Sequence, residues 1–190
     1  MQIVNCWVCE LPNSIELIGG ENIVVKNCQL GAQPTGITCK VQEVNKLSFI
    51  NNQVYPDGRE NLVLDACNNC VIEGNNFKSY YNGILVLNGN DNTVNKNIFW
   101  LTGAVQNQLL DHGDDFGIIN VKGNNNMVAS NSLSCEWAYA GAVTVNAVQG
   151  TGNVFKNCFV DNLESYRVFL VNAQTEVSNC VSSDKVSIVE

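Results

Sequence analysis

Cations are scarce in this 190-residue chain: ten Lys and Arg stand against eighteen Asp and Glu, for a formal net charge of −8. Phosphate backbones and anionic membrane surfaces are both held by clustered positive charge, so neither nucleic acid nor a membrane is expected as a partner. A neutral or weakly charged ligand fits better. Long apolar runs are also missing, and nothing approaches the ~20 residues of a membrane span. The opening MQIVNCWVCELPNS has neither a basic n-region nor a continuous apolar h-region. No signal peptide is therefore expected, and the chain as it stands reads as cytoplasmic, or as secreted if it is a piece of a larger precursor. Helical periodicity is nearly absent, which turns attention to strands. The length suits a single domain, 1–190, that buries roughly 70% of its unfolded surface without disulfide or metal staples.

What the chain does contain is a repeat. A segment of the form polar, x, apolar, x, x, Asn, x, apolar is anchored at Asn5, Asn27, Asn52, Asn75, Asn97, Asn131, Asn157 and Asn179, with spacings of 22, 25, 23, 22, 34, 26 and 22. No α-hairpin repeat varies this way while staying so short; one coil of a parallel β-helix does. Two residues after most anchors stands a large apolar side chain (Trp7, Val54, Phe77, Phe99, Leu133, Phe159 and Val181), with Gln29 the exception. Three residues before them come Val24, Phe49, Ile72, Val94, Val128 and Val154. That period of two predicts strands with one face inward.

A second short apolar strand precedes the later repeats, at Leu62 to Leu64, Ile84 to Leu87, Ile118 to Val121, Ala142 to Val145 and Val168 to Val171. Asn and Gly turns between such segments complete an all-β reading: a single-stranded right-handed parallel β-helix, a solenoid of about eight coils. Asn suits the turns because it tolerates left-handed backbone and can hydrogen-bond along a column of its own kind. No amphipathic capping helix is read at either end, so the chain is expected to be either a trimmed piece or capped by partners at its sheet edges.

Nine cysteines cannot all pair within one chain. Cys6, Cys28, Cys158 and Cys180 each follow an anchoring Asn directly, which places them in one column as small buried hydrophobes. The CNNC of Cys67 to Cys70 resembles half a zinc site and the CWVC of Cys6 to Cys9 has redox-motif spacing, yet the two pairs lie three coils apart and a zinc site needs four ligands. No metal and no cofactor is expected.

The spacing of 34 between Asn97 and Asn131 exceeds the usual 22 by a dozen residues, which predicts a loop insertion at about 100–116, WLTGAVQNQLLDHGDDF. A part that interrupts a repeat is where a repeat protein keeps its chemistry. The loop is rimmed by Trp100 and carries Asp111, Asp114, Asp115 and His112, the only histidine. Neighbouring carboxylates push each other's pKa apart, which lets one protonate a leaving oxygen while another accepts a proton or stabilises positive charge at an anomeric carbon. A hydrated acidic loop, or a loose calcium site through oxygen ligands, accounts for the same residues.

The run DDFGIINVKGNNNMVASNSLS, Asp114 to Ser134, resembles the equivalent segment of inulin fructotransferases, the difructose-anhydride-forming β-helix enzymes. YYNGILVLNGNDNTVNKNIF, Tyr80 to Phe99, is similar to that family's preceding coil. The resemblance implies a right-handed parallel β-helix assembled as a homotrimer with sites between subunits. It also implies cleavage of the terminal difructosyl unit of a β-2,1-fructan by one of that unit's own hydroxyls, which releases a cyclic dianhydride. The family's catalytic pair is an Asp and a Glu eleven residues apart. Asp111 falls on the Asp, and Lys122 stands where the Glu is expected.

At neutral pH an unperturbed lysine is a cation and cannot be that acid. Three explanations remain open: a binding or inactive relative, another acid drawn from Asp114, Asp115 or Glu136, or a lysine depressed by burial that acts itself. Lys122 is expected to stack between Asn88 and Asn146 and to neutralise Asp111 or Asp115. Substrate contacts are expected from His112, Trp100, Asn88, Asn146 and Glu136.

Overall fold

The computed structural model describes residues 1–102, 115–135, 143–161, 167–181 and 185–189. Every strand pairing among them is parallel, and the chain winds as a right-handed β-helix of about seven turns. Fourteen strands form one sheet and seven a second. Two long strands of the larger sheet, Ile15–Lys26 and Ile37–Ile50, run round a corner, so that sheet covers two faces of the rod with eight rungs each. The first face is built from segments such as Val71–Glu73 and Thr93–Asn95, and the second from segments such as Glu60–Asp65 and Leu85–Asn88. The third face is the smaller sheet, with strands such as Gln29–Ala32, Asn76–Ser79 and Ile98–Leu101.

Left-handed backbone makes the corners. Between the first and third faces the positive-φ position is held by Asn5, Asn27, Asn51, Gly74, Lys96, Ser130, Asn157 and Asn179. The residue after it points inward, and in the middle of the rod that residue is Asn. Asn52 donates from its backbone N and its Nδ2 to Asn75 Oδ1 at 2.8 and 3.0 Å; Asn75 does the same to Asn97, and Asn97 to Asn131. Each Nδ2 of this ladder also donates to a carbonyl of the preceding coil, so every amide is saturated although all four side chains are buried. A second ladder, Asn92, Asn126 and Asn153, lines the corner between the second and first faces. There Gly89 and Gly123 let consecutive coils approach closely: a Cβ at Gly123 would lie 1.7 Å from the Gly89 carbonyl oxygen.

The ladder corrects the register read from the repeat. Asn52, Asn75, Asn97 and Asn131 are the inward residues, whereas Asn5, Asn27, Asn157 and Asn179 occupy the left-handed corner one place earlier, and the cysteine that follows each takes the inward place. Cys28 N donates to Asn52 Oδ1 at 2.9 Å, which continues the ladder into the cysteine coils. Because side chains alternate, a slip of one reverses every assignment in those coils. Leu30, Val25, Phe155 and Val160 are the core residues, whereas Trp7 is 79% exposed and Phe159 52%. Gln29 is therefore no exception: it points outward with Trp7 and Gln53. In the central coils the inward reading holds, and Phe49, Phe77 and Phe99 stack with ring centroids 6.1 and 5.0 Å apart.

All nine cysteines are free thiols. Cys67 donates to the carbonyls of Val41 and Asp65, and Cys70 to those of Val44 and Asn68, so CNNC is an inward pair bonded to backbone.

Candidate functional site

On the second face, alternate residues of each strand point outward, and five of them converge on an open groove of about 300 Å³. Lys40 and Gln42 come from one rung, Asp65 from the next, Asn88 from the third and Lys122 from the fourth, over a floor that includes Val63 and Val86. Parallel register aligns them: Gln42 pairs with Asp65, Asp65 with Asn88, and Lys122 follows Val121, the partner of Leu87. Asn88 Nδ2 donates to Asp65 Oδ1 at 2.7 Å. Lys40 Nζ lies 3.1 Å from Glu16 Oε1, and the hydrogen bond and charge of Lys40 hold the Glu16 carboxyl below its ordinary range. The two cations thus differ. Lys40 is committed to Glu16, whereas Lys122 is exposed and has no ion-pair partner among the described residues.

The structure sorts the residues singled out in the sequence. Asn88 and Lys122 meet in the groove. Asn146 does not flank Lys122 as expected, because it pairs with Asn120, two residues earlier; the strand 145–147 starts later than its apolar run suggested. Asn146 Nδ2 donates instead to the Asp115 carbonyl at 2.6 Å. Nor does Lys122 neutralise Asp115, whose Oδ1 lies 2.9 Å from Arg167 Nη1. Trp100 points outward on the third face, with Lys78 Nζ 4.1 Å from its ring centroid, so it is not on the face that holds the groove. Asp111, His112, Asp114 and Glu136 lie outside the described residues.

Sequence reasoning missed Lys40, Gln42, Asp65 and Arg167. Asp65 follows Leu62 to Leu64 as Lys122 follows Ile118 to Val121, so aligning those short strands would have found it. Arg167 precedes the strand Phe169–Asn172 by two residues, and no local pattern links it to Asp115, 52 residues away.

The chemistry open to this arrangement is hydrogen bonding to a polar ligand. Amides, a carboxylate and an ammonium converge over a partly apolar floor, the usual composition of a site that orients a hydroxylated molecule. A lysine acting as acid or base needs a desolvated pocket, and Lys122 is exposed among the described residues.

Comparison with known proteins bears on fold and family. The family model described as periplasmic copper-binding protein (NosD) matches residues 2–179. Among solved structures, DFA-IIIase from Arthrobacter chlorophenolicus A6 without its lid superposes with a TM-score of 0.86 at 20% identity, over 100% of this chain and 50% of that one. The same protein in complex with GF2 gives 0.83 at 20% identity over 100% and 50%. In complex with DFA-III it gives 0.82 at 18% identity over 100% and 52%. The chain spans about half the length of these structures, and at such identity the likeness establishes the fold. No protein of curated function matches the sequence.

Proposed function

The chain belongs to the NosD family, and we propose that it binds the end of a neutral, fructan-type oligosaccharide in the groove of the second face. The observation that carries this reading is the convergence of Gln42, Asp65, Asn88 and Lys122 from successive rungs on one open groove. Sugar hydroxyls both donate and accept, which amides match on both counts. In this reading Lys122 is a hydrogen-bond donor to substrate. Solved complexes of DFA-IIIase with GF2 and DFA-III, on the same fold, support the choice of ligand.

A second reading adds catalysis, favoured by the resemblance of the DDFG and GNNNMVASN runs to inulin fructotransferases. A carboxylate at Asp111 would take the proton of the attacking hydroxyl while a second acid, Asp114 in place of the missing Glu, protonates the leaving glycosidic oxygen. Subunits would pair as a homotrimer around the site, which sedimentation would reveal.

Neither reading calls on copper. Among the described residues no three or more His, Cys, Asp or Glu side chains cluster where they could hold a metal ion. These residues do not fit the metal.

Calorimetric titration with inulin-derived oligosaccharides tests the binding, and chromatography after prolonged incubation tests the chemistry. Binding that weakens about tenfold in Asn88→Ala and Lys122→Ala is expected, each removing one or two hydrogen bonds. Unchanged titrations in both variants would remove the groove from the account. A non-reducing dianhydride that disappears in Asp111→Asn supports catalysis; unchanged inulin at high protein concentration leaves only binding. Activity gained in Lys122→Glu would identify a decayed site.

A further inference from the structure

The third face carries a different surface. Its outward positions form two columns along the rod. One runs Trp7, Gln29, Gln53 and Asn76, paired rung by rung. The other, two residues further along each strand, runs Gly31, Tyr55, Lys78 and Trp100. In a chain of net charge −8 these eight positions contain no carboxylate and a single cation; the first column continues to the exposed Ile98, and the first carboxylate of the second, Asp161, comes two rungs beyond Trp100. That cation, Lys78, lies against the Trp100 ring.

The columns contain an open polar groove of about 400 Å³ bounded by Asn27, Gln29, Asn51, Gln53 and Asn76. Two glycines shape it. A Cβ on Gly74 would lie 2.4 Å from Asn51 Oδ1, so the missing side chain is what lets the Asn51 amide lie across that corner. A Cβ on Gly31 would lie 3.3 Å from Tyr55 Cβ and 3.7 Å from its ring. Tyr55 leans over this bare rung and donates from its hydroxyl to Gln29 Oε1 at 2.9 Å, which fixes the ring beside the amides.

The inner and outer amides of the same coils contrast. Inside, Asn52, Asn75 and Asn97 are saturated rung to rung. Outside, the side-chain amides of Asn51, Gln53 and Asn76 have no hydrogen-bond partner among the described residues, and so remain available. A ladder kept only for the fold would close on itself, as the inner one does.

We propose that the outer surface of the third face, from Trp7 to Trp100, is a second binding site, for a linear uncharged polysaccharide lying along the rod axis. Open amides offer a donor and an acceptor at successive rungs, which complements hydroxyls, whereas the single cation, held against the Trp100 ring, gives a carboxylate or phosphate polymer no charge cluster to pair with. Aromatic side chains present apolar faces beside polar tips, as ring stacking on a sugar requires. The rungs repeat every ~4.8 Å, about the length of one sugar unit in an extended chain, so the pattern is met again by each unit of a regular polymer. The site is distinct from the second-face groove and stands whether or not that groove binds fructan.

Native affinity electrophoresis of the full chain in gels containing hydroxyethylcellulose, glucomannan, inulin or, as the charged control, polygalacturonate tests the proposal. Retardation by at least one neutral polymer and none by polygalacturonate is expected. Gln53→Ala with Asn76→Ala should weaken it about fivefold or more through lost hydrogen bonds. Tyr55→Ala should weaken it as well, while Glu176→Ala, on the first face, leaves it unchanged. Circular dichroism melts establish that the variants fold; should the double variant melt early, Gln53→Glu, a surface change that repels nothing in the fold, replaces it. No retardation by any neutral polymer, or retardation indifferent to the third-face variants, overturns the proposal. Loss in Lys122→Ala alone assigns the binding to the other groove and overturns it equally. Sedimentation decides the remaining alternative: a trimer that falls apart in the third-face variants would make this face a subunit contact.

Discussion

The middle of the rod and its two ends solve the same packing problem with different residues. In the central coils, Asn52, Asn75, Asn97 and Asn131 fill the inward corner and bond one another, and the phenylalanines beside them stack. In the outer coils a thiol fills that corner. Cys28 and Cys158 return their protons to carbonyls of their own and adjacent coils, and the Asn131 amide reaches the Cys158 sulfur where it would otherwise meet a fifth amide. The comparison teaches that this corner selects for a small side chain that can satisfy backbone groups, not for Asn as such. Moving the Asn one place earlier, onto the left-handed position, leaves the backbone path unchanged while altering what the core contains.

The sharpest way to break the comparison is to truncate residues that the repeat pattern treats as equivalent. Phe77→Ala, deep in the stack, should cost about 3–5 kcal/mol; Phe159→Ala, the matching residue by spacing from its Asn, should change stability by less than about 0.5 kcal/mol because that ring faces solvent. Chemical denaturation measures both, and equal losses would restore the uncorrected register. Next, Asn75→Ala should cost about 2–4 kcal/mol, since it strands the Asn52 donors in a buried corner. Asn157→Gly, at a position that needs only positive φ, should be nearly neutral in the same assay.

A smaller effect extends the ladder. Cys158→Asn places an amide where Asn131 now meets sulfur and should raise stability by about 1 kcal/mol, read as a higher melting temperature. The smallest concerns pH. The hydrogen bond from Cys158 pulls the Cys180 thiol from 9.0 down to about 7, while Cys158 itself is pushed up. A group whose folded value is depressed adds stability above its unfolded value and loses it as pH falls through the folded one. The melting temperature should therefore climb modestly from pH 7 to 9, and Cys180→Ser should flatten that slope. A slope surviving the substitution would belong to other groups.

The candidate site was less readable than the scaffold. Asn88 and Lys122 were identifiable because each ends a short apolar strand. Lys40 was hidden by a continuous strand, Ile37–Ile50, that carries two faces without a turn signal between them. The ion pair of Asp115 with Arg167 joins residues 52 apart in sequence and two coils apart in the rod, so only the winding brings them together. The acidic stretch with Asp111, His112 and Asp114 was visible purely as a longer spacing between anchors, and it lies outside the described residues.

By itself the sequence determined a parallel β-helix, its coil length near 22 residues, the corners rich in Asn and Gly, and the single column of thiols. These follow from periodicity, which any coil reports locally. Tertiary structure alone decided which member of each Asn-Cys pair faces inward, which outward residues share the groove of the second face, and that Trp100 belongs with the third. Those choices depend on the parity of each strand against the next, and parity is set by hydrogen bonds between coils and by one left-handed residue per corner, neither of which a repeat spacing uncertain by one residue can express.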